Sequence, residues 1–260
     1  MDTDLKIIGI IPARYQSTRL PGKVLLHIAG KPMIQHVYER CLGARTLSEV
    51  VVATDDERVG EEVEGFGGKV ELTRADHASG TDRLAEVASR RECDVIVNIQ
   101  GDEPMVDPEA IDAAVEPLLS DPELSFATIA TEITTLEEHT DPAAVKVVVD
   151  ANGWALYFSR APIPYFRLDA GASQPDEPRR HPKSGLHPLK HIGLYVYRRE
   201  TLLWFASLPP SPLELTEGLE QLRALEAGCR IQVVQVQYSP IGVDTPVDLA
   251  RVRAILEGRG

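Results

Sequence analysis

Short apolar runs that alternate with helical patterns are the feature that most restricts how this 260-residue chain can fold. Strand-like runs occupy residues 5–12, 50–54, 69–72 and 94–100. Apolar residues at helical spacing lie between and after them, in residues 33–41, 82–88 and 108–119. Largely apolar strands separated by helices predict an α/β fold, in which a mostly parallel, Rossmann-like central sheet is covered by helices on both faces.

In a sheet of this kind, ligands bind beyond the carboxyl ends of the strands. The segments that directly follow Ile11, Thr54, Leu72 and Ile99 are therefore the first places to look for functional residues.

The second half of the chain has a different pattern. Residues 145–150 and 154–158 flank an Ala-Asn-Gly turn and predict a hairpin. Residues 161–190 are rich in proline and charge and predict a long surface loop or lid. Further predictions are a strand at 191–197, a helix at 213–227 closed by Gly228, a strand at 231–238 and a helix at 246–257. We interpret residues 1–260 as one domain, with parts at 1–135, 136–240 and 241–260, the middle part being a smaller β-rich insertion.

The charge balance limits the classes of partner. The chain has 27 Lys and Arg against 40 Asp and Glu, a formal net charge of −13. A surface that neutralises a nucleic-acid backbone needs an excess of basic residues, so we expect no nucleic-acid partner. The longest apolar runs are far shorter than the ~20 residues of a membrane span, so we expect no membrane partner either. Three isolated cysteines and no visible secretory signal predict a cytoplasmic protein with reduced thiols.

Three cations lie in the loop that follows the first strand: Arg14, Arg19 and Lys23. Hydroxyl groups and backbone N–H groups accompany them. Guanidinium groups bind phosphate oxygens in pairs and an ammonium group acts as a point charge, so the loop suits a triphosphate. A solvated basic loop is an equally good interpretation of its composition alone. Neither a Walker loop nor a GxGxxG loop is present.

Two aspartates follow apolar strand signals. Asp102 comes after Gly101 at the end of the 94–100 strand, and Asp244 precedes the last helix. Carboxylate oxygens are ligands that Mg²⁺ prefers, and Mg²⁺ is usually held by one or two carboxylates together with substrate phosphates. Each aspartate has a structural alternative, because Asp also caps helices.

Seven motifs follow one another along the chain. They are IPARYQSTRLPGK at 11–23, TRADHASGTDRL at 73–84, QGDEP at 100–104, ALYFSR at 155–160, HIGLY at 191–195, PLE at 212–214 with LEQLR at 219–223, and GVDTP at 242–246. As a set they resemble the motifs of the 3-deoxy-manno-octulosonate cytidylyltransferase (CMP-Kdo synthetase) family. They cover nearly the whole chain in order, which makes the resemblance specific.

The resemblance implies an activity. The family transfers the cytidylyl group of CTP to the anomeric hydroxyl of 3-deoxy-D-manno-octulosonate (Kdo), giving CMP-Kdo and pyrophosphate for lipopolysaccharide biosynthesis. Residues 1–135 would then be the CTP-binding half, 136–240 the insertion for sugar binding and dimerisation, and 241–260 the metal-ligand turn with its helix. A homodimer is implied, with the strand 191–198 and its neighbouring helix as the candidate interface.

The resemblance also assigns roles to individual residues. The expected catalytic residues are Arg14, Lys23 and Asp102, and Mg²⁺ is expected on Asp102 and Asp244. The expected nucleotide-binding residues are Ala13, Arg14, Ser17, Arg19, Lys23, Arg74, Ser79, Gly80 and Gln100. The expected sugar-binding residues are Gln100, Arg160, His191, Tyr195, Glu220 and Gln221, of which Arg160 would pair with the sugar carboxylate.

The sugar side has the fewest matching residues. On the predicted strand, Ile192, Leu194 and Val196 share a face that can be core, which leaves His191 and Tyr195 on the other face. Without the resemblance, His191 reads as a structural residue, and Glu220 and Gln221 read as a solvated helix face. Residues 161–190 and 215–218 depart from the family pattern. Alternative functions are therefore a cytidylyltransferase for 8-amino-Kdo or a sialic acid, and a nucleotide-binding protein without catalysis.

Overall fold

The strands and helices of the structure, a computed structural model, follow the alternation predicted from the sequence. The structure describes residues 5–17, 20–167 and 185–258. Its strands are β1 (Ile7–Pro12), β2 (His27–Ile28), β3 (Lys31–Pro32), β4 (Glu49–Thr54), β5 (Val70–Leu72), β6 (Val95–Asn98), β7 (Phe126–Glu132), β8 (Lys146–Val149), β9 (Ala155–Ser159), β10 (Leu189–Arg198) and β11 (Gln232–Gln235). Its α-helices are α1 (Met33–Cys41), α2 (Glu57–Gly65), α3 (Gly80–Arg90), α4 (Pro108–Ser120), α5 (Leu136–Thr140), α6 (Arg199–Ser207), α7 (Pro212–Glu217), α8 (Gln221–Glu226) and α9 (Pro246–Leu256).

A single sheet forms the centre of the molecule. Its strand order is β11-β7-β10-β6-β1-β4-β5, and β8 and β9 extend it from β10 as a hairpin. Within the main order, β10 runs antiparallel to both of its neighbours and the other pairs are parallel. The predicted mostly parallel α/β sheet is confirmed. Strands from the first two parts of the chain contribute to it, and the three-part division stays a prediction.

Helices cover the sheet on both faces. One face packs against α1, α2 and α4, whose apolar stripes include Val37, Val59 and Val115. The other packs against α3, α6 and α8, through side chains such as Leu84, Phe205 and Leu222. Because the central strands are buried on both sides, their residues are apolar without alternation, which explains the sequence pattern. Within the described residues, no helix has both the length and the apolar character to cross a membrane.

Strand β10 lies inside the sheet. Its backbone pairs with β6 on one side and with β7 on the other. As predicted, Ile192, Leu194 and Val196 enter the core, but Tyr197 is also buried against the opposite helix layer. The expectation that this strand and its neighbouring helix form a subunit interface stays a prediction.

The helix predicted at 213–227 is two helices. α7 ends at Gly218, whose φ of 64° is in the left-handed region, and α8 begins at Gln221. Glycine adopts this conformation without the steric cost that a Cβ imposes, so Gly218 ends a helix that the apolar spacing alone would continue. The corner at 218–220 is the consequence.

We expect Gly218→Ala to destabilise the protein by about 1–2 kcal/mol, because a Cβ at this φ meets the following carbonyl oxygen. Urea unfolding measures the change. Gly65→Ala is the matched control, since Gly65 ends α2 without a positive φ and a Cβ there meets nothing within 4 Å. An equal loss in both variants would show that the conformation of Gly218 is not the cause.

The sequence patterns did not predict β2, β3, α2, β7, α5 and α6. The other differences concern element ends. The hairpin predicted around residue 152 is present as β8 and β9. The last strand covers only Gln232–Gln235, because after the bond from Val236 N–H to Ala130 C=O the chain leaves the sheet. In the predicted loop at 161–190, residues 161–167 and 185–188 are irregular and β10 begins at Leu189, while 168–184 lie outside the described residues.

Candidate active site

The carboxyl ends of β1 and β6 meet at one edge of the sheet. Gly101 follows β6, and a Cβ added to it would lie 2.9 Å from the Pro12 carbonyl oxygen at the end of β1. Only glycine allows this approach of the two backbones. The residues after β6 are thereby held against the loop after β1, as the position of both motifs at strand ends predicts.

Lys23, Asp102 and Asp244 form one charged cluster at this edge. The Lys23 Nζ donates to Asp102 Oδ2 at 2.6 Å and to Asp244 Oδ1 at 2.8 Å. The carboxylate side chains are 29% and 41% exposed, while the lysine side chain is 13% exposed. The cluster therefore faces an opening in the surface with its carboxylates outermost.

The main chain brings Asp244 to Asp102. Val243 N–H donates to the Asp102 carbonyl oxygen at 2.9 Å, which fixes the two segments side by side. Neither aspartate caps a helix: Asp107 caps α4, and Thr245 caps α9 in a capping box with Asp248. The structural alternative considered for each aspartate is therefore wrong.

The two carboxylates control the charge of Lys23. Burial lowers the pKa of its ammonium group, but the charges and hydrogen bonds of Asp102 and Asp244 outweigh burial, and the pKa lies above its ordinary value of 10.5. Lys23 is therefore a cation at neutral pH.

The same carboxylates suit a magnesium ion. Oxygens of both carboxylates lie within hydrogen-bonding distance of the same ammonium group, that of Lys23. Proteins usually bind Mg²⁺ through the oxygens of one or two carboxylates. Within the described ranges, no group of three or more His, Cys, Asp or Glu side chains is placed to hold a metal. Phosphate oxygens of a nucleotide or water would have to supply the remaining ligands.

Glu103 is next to this cluster but has a different charge state. Burial and then the charge of Asp102 raise the pKa of its carboxyl to about 8, against the lowering effects of Tyr238 and Lys190. At neutral pH most of the Glu103 carboxyl is therefore protonated, which leaves Asp102 and Asp244 as the charged pair.

The loop after β1 lines a cavity of about 460 Å³. Arg14 and Ser17 are among its lining residues, together with Asp55, and Arg14 also donates to the His77 carbonyl oxygen at 3.3 Å. Ala13 is buried and its N–H pairs with Ala53 of β4. Arg19, the third predicted cation of this loop, lies outside the described residues.

Three further residues predicted to hold the nucleotide lie in or before the first turn of α3. Ser79 caps the helix through Asp82, and Gly80 is its first residue. Gly80 lines a second cavity, whose other wall belongs to the sugar side. Arg74 is exposed and its Nε lies 3.1 Å from Asp76.

The predicted sugar residues surround two adjoining cavities. An inner one of about 250 Å³ is lined by Gln100, Tyr195, Glu220 and Gln221, and an outer, open one of about 870 Å³ by His191, Tyr195 and Gln221. Gln100 Nε2 donates to the Gly193 carbonyl oxygen at 2.7 Å, and Tyr195 donates to Gln221 Oε1 at 3.2 Å. These contacts bring the end of β6, the middle of β10 and the start of α8 together around one space.

Arg160 is placed differently from the others. Its guanidinium donates to three backbone carbonyl oxygens, those of Glu217 at 2.7 Å, Pro142 at 2.9 Å and Gly218 at 3.4 Å. It is not among the lining residues of either cavity. These three bonds use three of the five N–H groups of the guanidinium.

His191 is a neutral hydrogen-bonding group. Thr128 donates its hydroxyl proton to the Leu194 carbonyl oxygen at 2.8 Å, so its oxygen is left to accept from His191 Nε2, 2.9 Å away. The ring then carries its proton on Nε2, and Nδ1 is an acceptor. Burial lowers the pKa of His191 to about 3, so it is uncharged near neutral pH.

We expect this burial to make the protein less stable in acid. Unfolded His191 takes up a proton below pH ~6.5, while the folded ring does so only near 3, so the free energy of unfolding falls as the pH drops through this window. Between pH 6.5 and 5 the loss from this group is at most about 2 kcal/mol. Urea unfolding of His191→Gln should show a weaker pH dependence than the wild type. His27→Gln, at an exposed position, should keep the full dependence.

Asn98 and Thr81 line the inner cavity, although neither was among the predicted site residues. Asn98 ends β6 and is 5% exposed, and Thr81 in α3 donates to Glu220 Oε2 at 2.6 Å. A signal for Asn98 exists in the sequence, since the two-residue period of a strand places it on the face of Gln100. No comparable signal identifies Thr81, whose partner lies 139 residues away.

Known proteins resemble this chain along nearly its whole length. The family model described as cytidylyltransferase matches residues 8–231. A 3-deoxy-manno-octulosonate cytidylyltransferase of Geobacter sulfurreducens is 56% identical over 248 residues, 95% of this chain and 98% of the relative. One of Solibacter usitatus is 53% identical over 260 residues, 98% of each chain. A solved structure, a CMP:2-keto-3-deoxy-manno-octonic acid synthetase complexed with CTP, has a TM-score of 0.87 and 46% identity, covering 98% of this chain and 100% of its own.

Proposed function

Because this chain belongs to the cytidylyltransferase family, and within it to the 3-deoxy-manno-octulosonate cytidylyltransferases, we propose that the Lys23–Asp102–Asp244 cluster is its reaction centre. The chain transfers the cytidylyl group of CTP to Kdo, giving CMP-Kdo and pyrophosphate. One observation supports this position of the reaction centre: the Lys23 ammonium group and two carboxylates meet at the carboxyl edge of the sheet. This edge lies between the Arg14 loop and the sugar-side cavities.

The chemistry assigns simple tasks to these residues. The anomeric hydroxyl oxygen of Kdo forms a bond to the α-phosphorus of CTP and gives up its proton to water. The bond from that phosphorus to the oxygen shared with the β-phosphate breaks, which releases pyrophosphate. The protein has to align the two groups and stabilise negative charge on the phosphates. Arg14 and Lys23 neutralise phosphate charge, and Lys23 acts on the departing pyrophosphate. Ser17 and the first turn of α3 around Gly80 orient the nucleotide.

Magnesium is part of the proposal. Asp102 and Asp244 would hold the ion, and when bound it neutralises phosphate charge that two carboxylates alone would repel. The charge balance of the cluster supports this, because one ammonium group faces two carboxylates.

An assay of pyrophosphate release tests the function. With CTP, Kdo and Mg²⁺, the purified protein should release pyrophosphate and form CMP-Kdo, and omission of Kdo or Mg²⁺ should stop the release. Comparison of kcat/KM among Kdo, 8-amino-Kdo and a sialic acid identifies the preferred sugar. Tight CTP binding without turnover of any of the three would instead support a nucleotide-binding protein without catalysis.

The proposal includes a cellular location, a pathway and an assembly state. We place the protein in the cytoplasm because its three cysteines are free thiols, as reduced compartments favour. CMP-Kdo formed there would serve lipopolysaccharide biosynthesis. A homodimer, expected from the family, is tested by light scattering after gel filtration.

A further inference from the structure

The inner sugar-side cavity contains hydrogen-bonding groups that the chain itself leaves unused. Within the described part of the chain, four buried side-chain polar atoms have no hydrogen-bond partner: Arg83 Nε and Nη2, Asn98 Oδ1 and Gln221 Nε2. The last two belong to residues that line this one cavity. Asn98 is 5% and Gln221 2% exposed, so water replaces little of the hydrogen bonding that these two atoms lack.

Neighbouring side chains hold both amides in place. Tyr195 donates to Gln221 Oε1, which leaves Nε2 of the same amide as the unpaired donor. The Asn98 side chain hydrogen-bonds the Tyr197 hydroxyl, and its Oδ1 is the unpaired acceptor. The cavity thus offers one fixed donor and one fixed acceptor. A hydroxyl group both donates and accepts, so it is the simplest ligand group that satisfies the two.

The charge of the lining restricts which part of a sugar acid can enter. Glu220 is the charged residue of the lining, and none of the described lining residues is Lys, Arg or His. A carboxylate would meet a carboxylate there, without a compensating cation. Tyr195, Tyr197 and Phe205 supply apolar surface suited to the C–H groups of a carbon chain. At about 250 Å³, the cavity is smaller than the ~300–1,000 Å³ of typical whole-ligand pockets, so it suits part of a ligand.

We propose that Asn98 is a specificity-determining residue: with Gln221, it binds the hydroxyl groups of the sugar acid that are remote from the carboxylate. This rests on the proposed function. In the ring-closed form of a 2-keto sugar acid, the carboxylate and the anomeric hydroxyl that reacts are attached to the same carbon, so the end that carries the charge stays at the phosphates. The hydroxylated end then fills the inner cavity.

Steady-state kinetics of Asn98→Ala test this role. We expect the KM for Kdo to rise about 10-fold, the value of one buried hydrogen bond, with the KM for CTP unchanged. Val97→Ala is the matched control: Val97 is the preceding residue of β6, buried on the opposite face of the sheet. It should lower the melting temperature without changing the KM for Kdo. Gln221→Met, which removes the unpaired donor and keeps the side-chain length, should raise the KM for Kdo in the same way and serves if Asn98→Ala does not fold.

Kdo analogues that each lack one hydroxyl group identify the contact. For at least one analogue, wild type and Asn98→Ala should have equal KM values, because the partner of Oδ1 is already missing. An unchanged KM for Kdo, an equal rise in the KM for CTP, or the same wild-type-to-variant ratio for every analogue would overturn the proposal. Wild-type protein that releases no pyrophosphate with Kdo would instead show that the proposed function fails.

Discussion

Lys23→Met should lower kcat by about 10²–10³-fold, equivalent to about 3–4 kcal/mol of transition-state stabilisation. Negative charge on the β- and γ-phosphates increases as the pyrophosphate leaves. Lys23 is the cation of the cluster that stabilises this additional charge. Its pKa lies above 10.5, so it carries this charge at every pH of an ordinary assay. Initial rates of pyrophosphate release measure the loss.

The fold should survive this change. Asp102 and Asp244 are 29% and 41% exposed, so water screens their repulsion once the ammonium group is gone. Lys31→Met is the control, because Lys31 of β3 also pairs with a carboxylate, that of Glu39 in α1, but both side chains are exposed. It should keep the wild-type rate. If Lys23→Met is folded and retains the wild-type kcat, the cluster is not the reaction centre.

Asp102→Asn should reduce turnover by at least about 10²-fold, the effect of removing one charged group from a transition-state site. The change keeps the size of the side chain and removes half of the carboxylate charge available to a divalent ion. Titration of the rate with Mg²⁺ is the measurement, and we expect the variant to need more Mg²⁺ than the wild type to reach its own maximum.

Asp244 provides an internal check on this interpretation. If both aspartates hold one ion, Asp102→Asn and Asp244→Asn should be non-additive when combined. Asp121→Asn is the control, since Asp121 is an exposed residue after α4, away from the cluster. Full activity of Asp102→Asn at the wild-type Mg²⁺ concentration would contradict the metal site, and a wild type that ignores Mg²⁺ would contradict the cofactor.

Much of the fold was predictable because a strand that is buried on both faces is a continuous run of apolar residues in the sequence. Strands β1, β4 and β6 are buried on both faces and are therefore apolar in succession. The break between α7 and α8 was not predictable from spacing, because apolar residues continue at helical positions through Gly218. What stops the helix is the left-handed conformation of one residue, and that conformation creates the corner from which Glu220 and Gln221 reach the cavities.

The sequence predicted the position of some site residues but not the contacts of others. The sequence places Asp102 at a strand end and so gives its position at the sheet edge. Arg160 has an equally specific motif, yet its guanidinium is held by three carbonyl oxygens, two of them from the α7 corner. A motif identifies the residue type, whereas its partners depend on how distant loops pack.

The sequence by itself determined the alternation of strands and helices in the first half of the chain, the burial of the central strands and the residues at the carboxyl edge, since each of these depends on neighbours within a few positions along the chain. Only the tertiary structure decided which of those residues meet. Lys23 reaches Asp102 across 79 positions and Asp244 across 221, and Thr81 reaches Glu220 across 139. Such contacts depend on strand register, on the backbone approach that Gly101 permits and on the turn at Gly218, and no local periodicity encodes them.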